Sequence, residues 1–264
     1  VWAAVTIGKP GVAFLLAHGW HSLSDIVVRS HTVYANLRTG TGNIRKSSLY
    51  DDLDPTEKSG VSYFVGMLAA KIVGARLLGT PWLFHLSMMN AVDGTVILKS
   101  NSQPDLIGRR GNRDWIIAEA KGRTGRFSGS AMATAKRQTR QVRSINGRYP
   151  ALRVAVQASF EPFLRWAIED PEEFDDHATD LRFDPEDLFE MYYSGAAIAT
   201  DTAETRLLNG RSFLVNEVSE VGVTIGLDTA VRERLYARSM AQRDSEGAPE
   251  QLDKRVRAEG FTVF

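Results

Sequence analysis

Three side chains in the middle of the chain, Asp105, Glu119 and Lys121, are of types that could act together. Trp115, Ile116, Ile117 and Ala118 form the apolar run expected of a strand covered on both faces, and the run ends in Glu119, Ala120 and Lys121. Side chains at i and i+2 of a strand share a face, so Glu119 and Lys121 point the same way. A carboxylate and an amine at the end of a buried strand break the local pattern, and such breaks are where functional sites are expected. Asp105, within Pro104-Asp105-Leu106-Ile107-Gly108, approaches them if its strand pairs antiparallel with theirs across a turn at Gly111 and Asn112. Two carboxylates and an ammonium then meet, a set suited to hydrolysing a phosphodiester. Hard oxygen donors, here Asp105, Glu119 and the carbonyl of Ala120, suit Mg²⁺ (or Mn²⁺) with most of its water retained. An ion held there lowers the pKa of a water and neutralises charge on the transition state. Lys121 is expected to orient the attacking water, to stabilise charge developing at the phosphate and to offset repulsion between the carboxylates.

The elements that must position these residues are legible in part. Asp54, Pro55 and Glu57 give an N-cap, a proline at the first helical position and an acid at the third, ahead of apolar residues at helical spacing, so a helix is expected from Pro55 to Leu78. Short apolar runs at Trp82 to Leu86 and Thr95 to Leu98, then Asp105 to Gly108 and Trp115 to Ala120, read as strands. Ser128 to Ile145 reads as a basic helix closed by Gly147, and Leu152 to Phe160 as a strand. Before this stretch, His31 to Leu37 reads as a strand and Gly40 to Ser48 as a loop. After it come an acidic helix around Pro185 to Tyr193, a hairpin from Arg211 to Leu227 and a helix from Thr229 to Arg243.

At Pro104-Asp105 and Glu119-Ala120-Lys121 the sequence resembles the PD-(D/E)-x-K, or restriction endonuclease-like, nuclease superfamily. Each half of the motif occurs once, in the right order, on expected strands and ahead of a basic helix. The resemblance implies an α/β fold with an αβββαβ core, a mixed sheet flanked by helices, over residues 54–160. Residues 1–53 then form an N-terminal extension packed on the core and 161–264 a C-terminal α+β extension. It also implies a metal-dependent nuclease acting on DNA, alone, as a homodimer or as a subunit of a larger defence or repair complex. Many members carry a metal-facing acid on the first core helix, and Glu57 stands there; it equally fits the glutamate of a capping box. In the RecB-type branch a glutamine on the helix after the lysine contacts the site, and Gln138 and Gln141 lie on that helix. The branch's Q-x-x-x-Y pattern is not matched, since Val142 and Ile145 occupy the tyrosine positions.

Charge is informative only when mapped. The 264 residues carry a formal net charge of zero, yet Ile107 to Arg148 is strongly basic and Glu161 to Glu190 strongly acidic. On a helix, Lys136, Arg140 and Arg143 fall at spacings of four and three with Arg137 beside them. With Arg123, this set is the expected contact for nucleic-acid phosphates, with the alternative that the acidic region balances it. An inactive nuclease-fold subunit that binds nucleic acid or protein fits the same sequence, as does an unrelated enzyme in which Glu119 and Lys121 are a structural ion pair. The chain has no cysteine, which removes thiolate metal sites and suits a cytoplasmic location. No membrane or export segment is expected. His18, His21 and Asp25 are assigned to packing or surface roles, Gly40-Thr41-Gly42 to a plain turn, and Trp82 and His85 to the core.

Overall fold

The computed structural model describes residues 20–88, 103–111, 114–171, 178–219 and 222–246. The first helix, α1 (Trp20–Asn36), occupies the segment expected to hold a strand at His31 to Leu37. An ion pair one turn apart, Arg29 with Asp25 at 2.6 Å, supports the helix, and the polar side chains of Thr32 and Asn36 fold back onto carbonyls four residues earlier. The expected loop after it contains a hairpin, β1 (Leu37–Gly40) with β2 (Asn43–Lys46), turned at Gly42 with φ 74°. A short helix α2 (Ser48–Asp52) follows, and its buried Tyr50 hydroxyl lies 2.7 Å from Ser62 Oγ of the next helix.

That helix, α3 (Pro55–Arg76), begins as its sequence dictates. Asp54 Oδ1 accepts from the amides of Thr56 and Glu57, while Glu57 Oε2 accepts from the Asp54 amide at 3.1 Å. It buries Val65, Met67, Ala69, Ala70 and Val73 against one face of a five-stranded sheet. Lys71 is buried on the same helix, with its Nζ 4.7 Å from the centre of the Tyr192 ring. Burial holds this ammonium down to about 7.

The sheet is mixed. Strands β3 (Trp82–His85), β4 (Leu106–Arg110) and β5 (Asp114–Gly122) run antiparallel in turn. Helix α4 (Gly129–Thr139) crosses over, and after β6 (Val142–Ile145) strand β7 (Leu152–Phe160) returns parallel to β5. Strand β8 (Leu164–Glu169) pairs antiparallel with β7, giving the order β3-β4-β5-β7-β8. Ile116, Ala118 and Ala120 of β5 face the α3 cluster; Ala155 on β7 packs against Met132 and Ala135 of α4. The chain is therefore mixed α/β with helices on both faces of the sheet. The strand expected at Thr95 to Leu98 lies outside the described residues, as does His18.

The basic helix is shorter than its sequence suggests. It stops at Thr139 with Arg140 as its C-cap, and β6 pairs parallel with β9 (Thr179–Leu181). Val142 and Ile145 suit either state, and burial in this pairing decides for strand. Asn146 and Gly147, both at positive φ, then turn the chain.

Chain contacts divide the molecule into two compact units, one of which holds Asp25–Tyr192. The first unit thus runs past residue 160: β8 extends the sheet, and α5 (Pro185–Ala199) sets Phe189 against Trp82 and Tyr192 against Phe84. The described part of the second unit, residues 20–24, 193–219 and 222–246, contains the antiparallel sheet β10 (Glu204–Leu208), β11 (Arg211–Val218) and β12 (Val223–Asp228), followed by α6 (Thr229–Glu246). Asn209-Gly210, at φ 51° and 77°, makes the two-residue turn between β10 and β11. Among the described residues no helix is long and apolar enough to cross a membrane.

Candidate functional site

Register brings Asp105 to Glu119. Leu106 pairs with Ala118 in the antiparallel β4–β5 ladder, so the next step outward opposes Asp105 and Glu119 on one face. The Asp105 amide donates to Glu119 Oε2 at 2.8 Å, and the Ala120 amide donates to Asp105 Oδ2 at 3.1 Å. Two residues along, Lys121 shares the face and its Nζ donates to Glu119 Oε1 at 2.5 Å. The same ammonium donates to Gln138 Oε1 of α4 at 2.7 Å, and Gln138 Nε2 donates to the carbonyl of Gln103 at 3.3 Å. Asp105, Glu119, Lys121 and Gln138 therefore form one connected cluster.

Two devices hold the frame. Gln157, fully buried and paired with Lys121 across β5–β7, accepts from the Ser128 amide at 2.7 Å and donates to the Ser128 carbonyl at 2.9 Å, fixing the start of α4. On the other face α3 lies directly on the end of β5: a Cβ on Gly122 would fall 1.6 Å from Ser62 O, and one on Gly66 2.5 Å from Gly122 N. Only glycine permits that approach, one residue beyond Lys121.

The electrostatics are those of an under-compensated carboxylate pair. Glu119 is 1% exposed, and burial together with the charge of Asp105 pushes it up to about 8, against the pull of Lys121. Asp105 is raised by burial as well, opposed by its bond from Ala120 and by the nearby His85 and Lys121. One lysine serves two carboxylates, so without a further cation the pair is best balanced holding a proton. Lone pairs remain for a metal, because a carboxylate offers about four acceptor sites and the hydrogen bonds above occupy two on Glu119 and one on Asp105. Among the described residues no three His, Asp or Glu side chains gather as a ligand set. The side-chain donors present are two carboxylates, and Mg²⁺ takes as few as one or two carboxylates while retaining water.

Other expected residues lie elsewhere. Glu57 caps α3. Ala120 meets Asp105 through its N–H. Lys136 pairs with Glu169 at 3.0 Å, and Arg143, on β6 and off the helix, pairs with Asp180. Both partners belong to the acidic stretch, so the expected row Lys136, Arg140, Arg143 on one helix face does not form. Arg123 and Arg137 are exposed, and Gln141 lies beyond the end of α4.

Two residues at the site had no assignment there from sequence. His85 is half-buried next to Asp105: burial lowers its pKa, the Asp105 charge works the other way, and its Nδ1 lies 2.6 Å from Ser87 Oγ. Its pairing with Leu106, the neighbour of Asp105, becomes readable only once β3 is known to flank β4. Tyr63 of α3, 51% exposed, has its phenol raised by partial burial and then by the charges of Asp105 and Glu119. Helical spacing from Ser62 and Gly66 carries no sign of that proximity. Comparison of the chain with protein-family models, with curated proteins and with solved structures finds no match.

Proposed function

We propose that the chain is a metal-dependent nuclease that hydrolyses phosphodiester bonds, with DNA as the substrate, on a restriction endonuclease-like αβββαβ core made of α3, β3, β4, β5, α4 and β7. The observation that carries the reading is the cluster itself: Asp105 opposed to Glu119, with Lys121 reaching both Glu119 Oε1 and Gln138 Oε1 at 2.5 and 2.7 Å. A structural ion pair needs neither the second carboxylate nor the glutamine, and burying Glu119 for packing alone would cost stability.

Asp105 and Glu119 would hold Mg²⁺ or Mn²⁺ with help from backbone oxygen near Ala120. The ion supplies charge neutralisation at the phosphate and a water of lowered pKa. Lys121, held between Glu119 and Gln138, would turn its ammonium toward a phosphate oxygen and stabilise the charge that develops there. Gln138 limits the rotamers open to that ammonium, and its bond to the Gln103 carbonyl ties it to the segment carrying Asp105. Exposed Arg123, two residues past Lys121, would meet a backbone phosphate flanking the scissile one. The pairing of Lys136 and Arg143 with acidic partners gives some weight to the second reading, a nuclease-fold subunit that binds without cutting.

Cleavage assays on single-stranded, duplex and branched DNA, with RNA alongside, decide between the two. Products that appear with Mg²⁺ or Mn²⁺ and vanish with chelator support the nuclease. Metal-independent binding with no cleavage of any of these substrates supports the subunit.

A further inference from the structure

On α4, the side opposite Gln138 borders a cavity of about 440 Å³ lined by Phe127, Met132, Lys136, Arg137, Arg140 and Glu169 among others. The volume lies within the range of small-ligand sites. Its charges do not balance internally. Lys136 and Glu169 neutralise each other at 3.0 Å, which leaves two guanidiniums one helical turn apart. Arg137 spends one nitrogen on Thr134 Oγ1 at 2.9 Å and keeps its other donors. Arg140 Nε is shut off from solvent and has no hydrogen-bond partner among the described residues. A buried donor left unmet is costly, and a turn of the Arg140 side chain toward the cavity would let an anionic acceptor there meet it.

The remaining wall is apolar. Met132 is buried and Phe127 is 44% exposed, so an aromatic face stands uncovered beside the two cations. Guanidinium forks match phosphate oxygens in pairs, and an exposed phenyl ring stacks on a flat heterocycle. We propose that this cavity binds a nucleotide through a phosphate monoester, with Arg137 and Arg140 on the phosphate and Phe127 against the base. A free nucleotide and the terminal nucleotide of a strand present the same chemistry. The site lies across α4 from Lys121, so the inference stands whether or not the carboxylate cluster cleaves DNA.

Calorimetry on the full chain with deoxyadenosine monophosphate, inorganic phosphate and deoxyadenosine tests it. The monophosphate should bind at least about tenfold more tightly than either fragment, and Arg140→Gln, Arg137→Gln and Phe127→Ala should each weaken it by about tenfold. Lys121→Ala should leave this binding unchanged, which separates the cavity from the cleavage site. Displacement of the monophosphate by a 5′-phosphorylated oligonucleotide, and not by its unphosphorylated twin, identifies a strand end as the source. Displacement by neither identifies the free nucleotide. Equal affinity for the monophosphate and inorganic phosphate would overturn the proposal, as would monophosphate binding that survives the Arg137→Gln substitution, whose exposed position leaves the fold intact.

Discussion

Gly122→Ala places one methyl group at the point where α3 meets the end of β5. The new Cβ would lie 1.6 Å from Ser62 O, 2.3 Å from Ser62 C and 2.9 Å from Tyr63 N, whereas real Cβ contacts essentially never fall under 3.0 Å. All three atoms are main chain, so no side chain can rotate away. Ordinary contact near 3.4 Å requires helix and strand to part by roughly 1.8 Å, the difference between the two distances. That separation opens the cluster of Val65, Met67, Ala118 and Ala120. Routine overpacking costs about 1–3 kcal/mol; moving a whole helix off its sheet should cost about 4 kcal/mol. With a urea slope of about 2 kcal/mol/M, the unfolding midpoint should fall by about 2 M. Protein that stays folded would carry a displaced Lys121, and an error of about 1 Å at a catalytic group can lower turnover about a hundredfold. Gly125→Ala is the control, because nothing lies within 4 Å of its Cβ. A Gly122→Ala midpoint within about 0.3 M of the parent, with Gly125→Ala equally silent, would refute the helix-on-strand argument.

Three further outcomes are expected. Lys121→Ala should lower cleavage by orders of magnitude while Mg²⁺ binding, followed by calorimetry, stays largely intact; Asp105→Ala should weaken the metal binding itself. Stability should respond to pH with opposite signs at two buried groups in metal-free protein. Glu119, raised from 4.5 to about 8, contributes stability present below pH 4.5 and lost as pH rises through about 8, whereas Lys71, lowered from 10.5 to about 7, contributes stability present above pH 10.5 and lost as pH falls through about 7. Urea midpoints across pH 4 to 11 should therefore lose their decline over the first window in Glu119→Gln and their rise over the second in Lys71→Met. Lys136 is already compensated by Glu169, so replacing Lys136 and Arg140 together should flatten the salt dependence of log K for duplex DNA by about one unit; a change of two would show that Lys136 leaves Glu169 to meet DNA.

Legibility followed how local the deciding physics was. The capping box of α3 is written in Asp54, Pro55 and Glu57, and the two-faced apolar run of β5 in Trp115 to Ala118. Both are visible to anyone who knows the spacing of helices and strands. The meeting of Asp105 and Glu119 needed only the assumption that their strands form a hairpin. Elsewhere the outcome depended on partners far along the chain. Val142 to Ile145 became a strand because Thr179 to Leu181 lies beside it, and His85 came near Asp105 because β3 flanks β4. The basic row dissolved when Glu169 and Asp180, residues of the acidic stretch, closed on Lys136 and Arg143. At α1 a helix took the segment in spite of its strand-like run from His31 to Leu37. Asn209-Gly210 was different: a strong hairpin signal stood in the sequence, and only β10 beside it, exposed along its whole length and without apolar alternation, concealed the strand.

The antiparallel ladder of β4 and β5 restricts how the chain could change in length. Side chains alternate between the faces of a sheet, so deleting one residue between Asp105 and the turn, or between the turn and Glu119, would swing one carboxylate toward α3 and leave the other facing α4. Residues added at Gly111, beyond the last paired rung of Arg110 and Asp114, would leave every rung in place. The hairpin tip, at the opposite end of the ladder from Asp105 and Glu119, is thus free to lengthen, while the strands beneath it tolerate changes only in compensating pairs.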